Sequence, residues 1–308
     1  MRTHSIIAAV LILATCPATA DQVVGGLRVD CRGEATSSPT VILESGAFGT
    51  ADDWAWVLDD LAKSGRVCAY DRAGVGGSAP RPGGEDVVSI ARELAGLLDQ
   101  IGETRPVILV GHSNGALYVE TFAATWPGRV AGLVYINGVT SNDLAYPLLV
   151  KDLTRERHLS DLAATAGQLG LAPLGARQVV KAEDLPADAA ARKRSALSRL
   201  RKLRVARDED RNIVQGLTVV ANLGGSPPQI PTVTLYGGPE RGSPLAVAWR
   251  KAEAEPSERA ARGWTLAAIG ATHVSPLARD RAYVVAAVNW LRSIASARPV
   301  SPDADVGH

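Results

Sequence analysis

The pentad Gly111-His112-Ser113-Asn114-Gly115 sets a serine between two glycines, each two positions away. It follows the apolar run Val107-Ile108-Leu109-Val110 and precedes Ala116-Leu117-Tyr118-Val119-Glu120-Thr121-Phe122, which reads as a helix. A G-x-S-x-G pentad between a strand and a helix marks a strained turn that lifts a serine hydroxyl clear of a sheet edge. Residues 111 and 115 must be small because a side chain there would collide with the turn. A hydroxyl raised in this way can attack an acyl carbon once a base removes its proton.

The base should be a histidine, and the chain has five. His4 falls in an N-terminal leader, His308 in the tail, His158 in a helix-rich stretch, and His112 inside the turn, pointing away from the serine. His273 remains. It follows Trp264-Thr265-Leu266-Ala267-Ala268-Ile269 through a Gly270-Ala271-Thr272 turn, which predicts a loop at the end of a last strand. A buried carboxylate must hold the imidazole in the right tautomer. Glu240 lies past the strand-like run Thr232 to Tyr236 and between Ser113 and His273 in chain order. Arg241 beside it leaves a surface ion pair as its other role, and Asp143 is the second candidate for the acid. Acyl transfer also needs two donors aimed at the developing oxyanion. The Asn114 amide is one, and the loop Glu44-Ser45-Gly46-Ala47-Phe48-Gly49 offers Ala47 as the other.

These residues need a frame. Val41 to Leu43, Val67 to Tyr70, Val107 to Val110, Leu133 to Ile136 and Thr232 to Tyr236 lack polar alternation, which suits strands covered on both faces. They alternate with helical stretches, the pattern of a mostly parallel sheet flanked by helices. Residues 141–224 change to an Ala-, Leu- and Arg-rich pattern with no strand-like run before Val219-Val220, which predicts helices inserted between two strands. Inside it, Arg192, Lys193, Arg194, Arg199, Arg201, Lys202 and Arg204 form a basic run around Leu197, Leu200 and Leu203. A solvated helix face with a leucine stripe is one reading; a basic entrance for acidic substrates or an anionic envelope surface is the other.

The 308 residues carry 33 basic against 32 acidic side chains, a net charge of +1, which gives no field to attract nucleic acid. Arg2 and His4, the apolar run from Ile6 to Ala14 and the small residues Ala18-Thr19-Ala20 form a signal-peptide pattern with cleavage after Ala20. A short membrane anchor and a lipidated Cys16 are the alternatives weighed against it, and no apolar run beyond the leader reaches the ~18 residues of a span. Export removes Cys16 and leaves Cys31 and Cys68, an even count that suits a disulfide in an oxidising compartment; two buried thiols are the alternative. The histidines and cysteines are too scattered for a metal cluster and no phosphate loop is present, so no cofactor is expected.

Together these segments resemble the α/β-hydrolase superfamily over nearly the whole mature chain. Asp71-Arg72-Ala73-Gly74-Val75-Gly76-Gly77-Ser78 is similar to its D-R-x-G-x-G-x-S turn, and Trp126 to Val134 to its passage from helix to strand below the elbow. The run from Leu43 to Gly46 and the one from Cys68 to Gly74 resemble those of exported bacterial members. The resemblance implies an α/β-hydrolase fold with a core of residues 21–140 and 225–297, a helical cap over 141–224 and a loose tail over 298–308. It also implies that Cys31 and Cys68 fall on neighbouring strands, where a bridge is possible. Two departures stand out: Ser45 replaces a usual His, and Glu240 a more usual Asp. The implied activity is that of an exported serine hydrolase acting on small carboxylic esters with an apolar acyl group, in the periplasm or outside the cell. Two alternatives stay open: an aminopeptidase-like member holding a substrate amine with Glu183, Asp184 or Asp188, and a non-catalytic binding module. The sequence carries no signal for oligomeric state.

Overall fold

The computed structural model describes residues 19–166, 184–197, 200–238 and 242–297. Residues 1–18, residues 298–308 and Glu240 lie outside them.

Eight strands form one sheet: β1 (Thr19–Val24), β2 (Leu27–Arg32), β3 (Val41–Glu44), β4 (Val67–Tyr70), β5 (Val107–His112), β6 (Val130–Ile136), β7 (Thr232–Gly238) and β8 (Gly263–Ile269). Their order is β1-β2-β4-β3-β5-β6-β7-β8. From β4 to β8 all neighbours are parallel, while β1 and β2 add an antiparallel hairpin at one edge.

The uniformly apolar strands have a direct cause. Val41, Leu43, Ile108, Val110, Val134 and Ile136 enter one core; Ile42, Val107, Leu109, Leu133 and Tyr135 enter another on the opposite face. Successive side chains point to opposite faces of a sheet, so two covered faces leave no polar position along a strand. The first core is closed by α1 (Ala55–Ala62) and α8 (Ala282–Ser296), the second by α2 (Val87–Gln100) and α3 (Asn114–Thr125). α2 shows why such helices form. Asp86 caps it by accepting from the Val88 and Ser89 amides, and Ile90, Ala91, Leu94, Leu97 and Leu98 bury one stripe. Gly102, at φ 72°, ends it in the left-handed region where glycine carries no steric penalty.

Between β6 and β7 lie α4 (Pro147–Ala166), α5 (Ala187–Leu197) and α6 (Leu200–Asn222), followed after β7 by α7 (Pro244–Arg259) alongside β7 and β8. The strand expected around Val219-Val220 is absent; both residues sit in α6, where Val220 packs with Ile213 and Leu217 against Leu117, Tyr118, Val139 and Leu153. A 3.6-residue repeat with its charges on the other side outweighed the β preference of two adjacent valines. α5 is tied down by charge. Arg192 reaches Asp52 at 2.6 Å and Lys193 pairs with Asp53, so these two cations face acids of the body, while Arg194 and Arg204 are exposed. The side chains of Leu197, Arg199, Leu200, Arg201, Lys202 and Leu203 lie outside the described residues.

Cys31 stands directly across from Cys68 on the paired strands β2 and β4, and the two form a disulfide with an S–S distance of 2.06 Å.

Candidate active site

Parallel strands send the loops after β3, β5, β6, β7 and β8 to one edge, and in such sheets ligands bind outside the carboxyl ends of the strands. Ser113 stands at that edge with φ 53° and ψ −126°, a conformation that costs a non-glycine residue about 1–3 kcal/mol. Three backbone bonds hold it there: its amide donates to the Ile136 carbonyl at 3.0 Å, and its carbonyl accepts from the Ala116 and Val139 amides at 3.0 and 3.1 Å. The flanking glycines are required by their surroundings. A Cβ at Gly111 would meet the Ala116 Cα at 2.6 Å, and one at Gly115 would meet the Glu44 carbonyl oxygen at 2.5 Å.

Ser113 and His273 line the same two cavities, one of about 520 Å³ and one of about 240 Å³. The loop carrying His273 turns at Gly270, φ 81°, and is braced by reciprocal bonds between Thr272 and Ser275. The His273 carbonyl accepts from Asn137 Nδ2 and from His112 Nε2, both at 2.9 Å. Sequence reasoning missed these two residues. Asn137, at φ 43°, also accepts from the Gly237 amide at 2.6 Å, and so links the ends of β6 and β7 to the histidine loop. An asparagine directly after an apolar strand and before a glycine was the available signal. The His112 ring lies 4.8 Å from that of His273 and, with Ser113 and His273, lines the smaller cavity. Because a carbonyl only accepts, the proton of the His112 imidazole is on Nε2.

Burial lowers the His112 pKa to about 4, with Lys193 adding repulsion and the bond to His273 opposing it. The folded value lies below the ordinary histidine value near 6.5, so the unfolded chain binds the extra proton between these two pH values. Stability is therefore complete above about pH 6.5 and falls as the pH drops towards 4, by up to about 3 kcal/mol. Urea unfolding at pH 7 and pH 4.5 should show this loss in the parent protein and a flatter dependence in His112→Gln. An unchanged slope in the variant would assign the acid sensitivity to other groups.

The loop after β3 is built to face the serine. Gly46, Ala47, Phe48 and Gly49 line the smaller cavity, with Phe48 at φ 56° and the Gly49 amide turned back to the Gly46 carbonyl at 3.1 Å. Ser45 has its own role: its hydroxyl donates to the Thr50 carbonyl at 3.0 Å and accepts from the Trp54 indole at 2.9 Å, stapling the loop. Asn114 is the first residue of α3, where backbone amides have no partner within the helix, and its side chain donates to Asp210 at 2.8 Å.

Asp143 is fully buried at the first turn after β6, accepts from the Thr140 amide at 3.1 Å and lines neither cavity. Burial, with Glu120 and Glu255 nearby, pushes its carboxyl well above the usual range. Asp184 lines the smaller cavity, Asp188 pairs with Arg192 at 2.9 Å on the surface, and Glu183 lies outside the described residues. Sequence reasoning also missed one face of α7, where Ala246, Trp249, Arg250 and Glu253 line the larger cavity together with Glu156 of α4. Their helical spacing was the available signal. Burial, with Asp143 adding repulsion, pushes the Glu253 carboxyl well above its usual range against the pull of Arg250. Among the described residues no cluster of His, Cys, Asp and Glu could hold a metal ion, and no helix is long and apolar enough to cross a membrane.

A family model described as the alpha/beta hydrolase fold matches residues 39–212. The chain belongs to this family. Among α/β hydrolases of known structure, an esterase from Thermogutta terrifontis is 18% identical with a TM-score of 0.62, the match covering 90% of this chain and 98% of that one. A protein from Pseudomonas aeruginosa titled as an epoxide hydrolase is 20% identical with a TM-score of 0.68, covering 90% and 96%. At these identities the likeness is one of fold alone. Among curated relatives, a protein named as the carbamate hydrolase RutD of Pantoea ananatis is 38% identical over 33% of this chain and 37% of its own length. The acetyltransferase component of an acetoin-cleaving system from Cupriavidus necator is 32% identical over 39% of this chain and 32% of its own. The chain thus spans about a third of the length of these relatives. The fold class and superfamily expected from the sequence are those found.

Proposed function

We propose that this α/β hydrolase is an exported serine hydrolase that cleaves carboxylic esters through an acyl-enzyme. The supporting observation is the strained placement of Ser113 on the wall of the cavities that His273 also lines. In this reading His273 takes the Ser113 proton as the hydroxyl attacks the carbonyl carbon and returns it to the leaving alcohol; water then repeats the sequence on the acyl group. The Glu240 carboxylate holds the imidazole, and the Ala47 and Asn114 amides receive the oxyanion. The leader pattern and the Cys31–Cys68 bridge support export to the periplasm or beyond. The serine also speaks against epoxide opening by a carboxylate nucleophile, the activity named for the Pseudomonas neighbour.

A second reading has its own observation. Glu156 and Glu253 line the larger cavity beside Trp249, a wall that suits a substrate amine, as amide-cleaving members would require. A panel of p-nitrophenyl esters, aryl carbamates and aminoacyl anilides, with fluorophosphonate labelling, separates these readings. Turnover of esters with short to medium apolar acyl chains is expected. Preference for the anilides would move the assignment to a peptidase, and preference for the carbamates to the activity named in the Pantoea relative. A folded protein that neither labels nor turns over any of them would be a binding module.

A further inference from the structure

Arg72, just beyond β4, is 2% exposed, and all five of its N–H groups donate inside the protein. Nε and Nη2 grip the Glu209 carboxylate at 2.8 and 2.7 Å. Nη1 donates to Glu44 and to the Ser45 carbonyl, both at 2.6 Å, and Nη2 also reaches the Gly46 carbonyl at 3.0 Å. The last contact matters most. The Gly46 carbonyl and the Ala47 amide belong to one planar peptide unit, so holding the oxygen sets the direction in which the Ala47 N–H points. Glu209 belongs to α6, and its neighbour Asp210 accepts from the Asn114 side chain at 2.8 Å. Two consecutive residues of one inserted helix therefore reach the Arg72 fork behind the Ala47 amide and the side chain of Asn114, the residue that carries the other proposed donor.

We propose that Glu209 and Asp210 are positioning residues for the oxyanion hole, which is complete only while α6 is seated on the body. The inference rests on the serine-hydrolase reading above. Neither carboxylate touches reacting atoms; each acts through another side chain, Glu209 through Arg72 and Asp210 through Asn114. Anchorage alone does not call for them, because Ile213, Leu217 and Val220 already seat the helix on an apolar face. Buried charge clusters of this kind are commonly no more stable than apolar packing of the same volume. What apolar packing does not supply is direction: a guanidinium fork fixes the planes of its partners. An inserted helix that, among the described residues, contributes none to the lining of either cavity thus sets catalytic geometry.

The test uses the full chain and four variants: Glu209→Gln, Asp210→Ala, the double variant and Asn212→Ala. The last removes the bond of the same helix to the Glu85 carbonyl at 3.2 Å, away from the hole. Kinetics on a p-nitrophenyl ester give kcat and KM, a fluorophosphonate gives labelling rate, and thermal unfolding gives the folded fraction. Losing an oxyanion donor outright costs about 10²–10³ in kcat, so misaiming one should cost about tenfold and misaiming both about a hundredfold, with KM within about twofold. Asn212→Ala should keep the parent kcat. Unchanged kcat in folded variants, a rise in KM in place of the kcat loss, or an equal loss in Asn212→Ala overturns the assignment. If Glu209→Gln does not fold, Asp210→Ala decides, because it leaves the Arg72 fork intact. An inactive, unlabelled parent protein overturns the serine-hydrolase reading and this inference with it. An active parent with unaffected variants overturns this inference alone.

Discussion

Ser113→Ala should leave a folded protein that takes up no fluorophosphonate and has lost ester turnover on the order of a million-fold, the cost of removing a nucleophile whose partners act as a unit. The size of the loss follows from geometry. The hydroxyl is held by a strained backbone that three hydrogen bonds keep in place. The strain adds a second, independent readout. Alanine at φ 53° keeps the backbone penalty, whereas glycine does not, so Ser113→Gly should unfold at a higher temperature than Ser113→Ala, by about 1 kcal/mol in stability. Persistent labelling of Ser113→Ala would place the reactive serine elsewhere. Equal stability of the two variants would mean that the turn carries no strain.

Replacing Cys31 and Cys68 together by alanine should lower the unfolding free energy by about 4 kcal/mol, the chain-entropy value for a loop closed between residues 37 apart. Guanidinium unfolding of the variant, and of the parent protein with and without reductant, measures it. The bridge joins β2 to β4, so its loss removes the covalent tie between the antiparallel hairpin and the parallel body and leaves the strand pairing to hold them. Ester turnover should persist under native conditions, since Ser113 and His273 stand at the ends of β5 and β8 and not on these strands. A shift below about 1 kcal/mol would mean that the unfolded chain is held compact by something other than the bridge.

Much of the site was readable because its signals are local. Gly111 is forced by contact with its own turn at Ala116, and the apolar strands by a sheet covered on both faces, whereas Gly115 is forced by Glu44 and Ser45 far upstream, although the pentad itself marked it. The position of His273 came from elimination and from the run that became β8. What escaped notice is long-range. Arg72 meets Glu209 across 137 positions and His112 meets the His273 carbonyl across 161; neither spacing leaves a mark on the chain. The basic run looked like one surface, yet Arg192 and Lys193 are spoken for by Asp52 and Asp53, acids lying 140 positions upstream. Val219-Val220 shows the remaining failure: a dipeptide was weighed by β preference when the stripe from Ile213 to Val220 already decided for helix.

The two chambers that meet at Ser113 and His273 are unequal, about 520 Å³ against about 240 Å³. Bonds at a tetrahedral carbon diverge, so an ester cleaved there as proposed would send one portion into the roomy wing and the other into the cramped one. Lopsided compounds suit such a floor plan. Lengthening one end should be forgiven over many carbons, while the same extension at the opposite end should soon meet a wall.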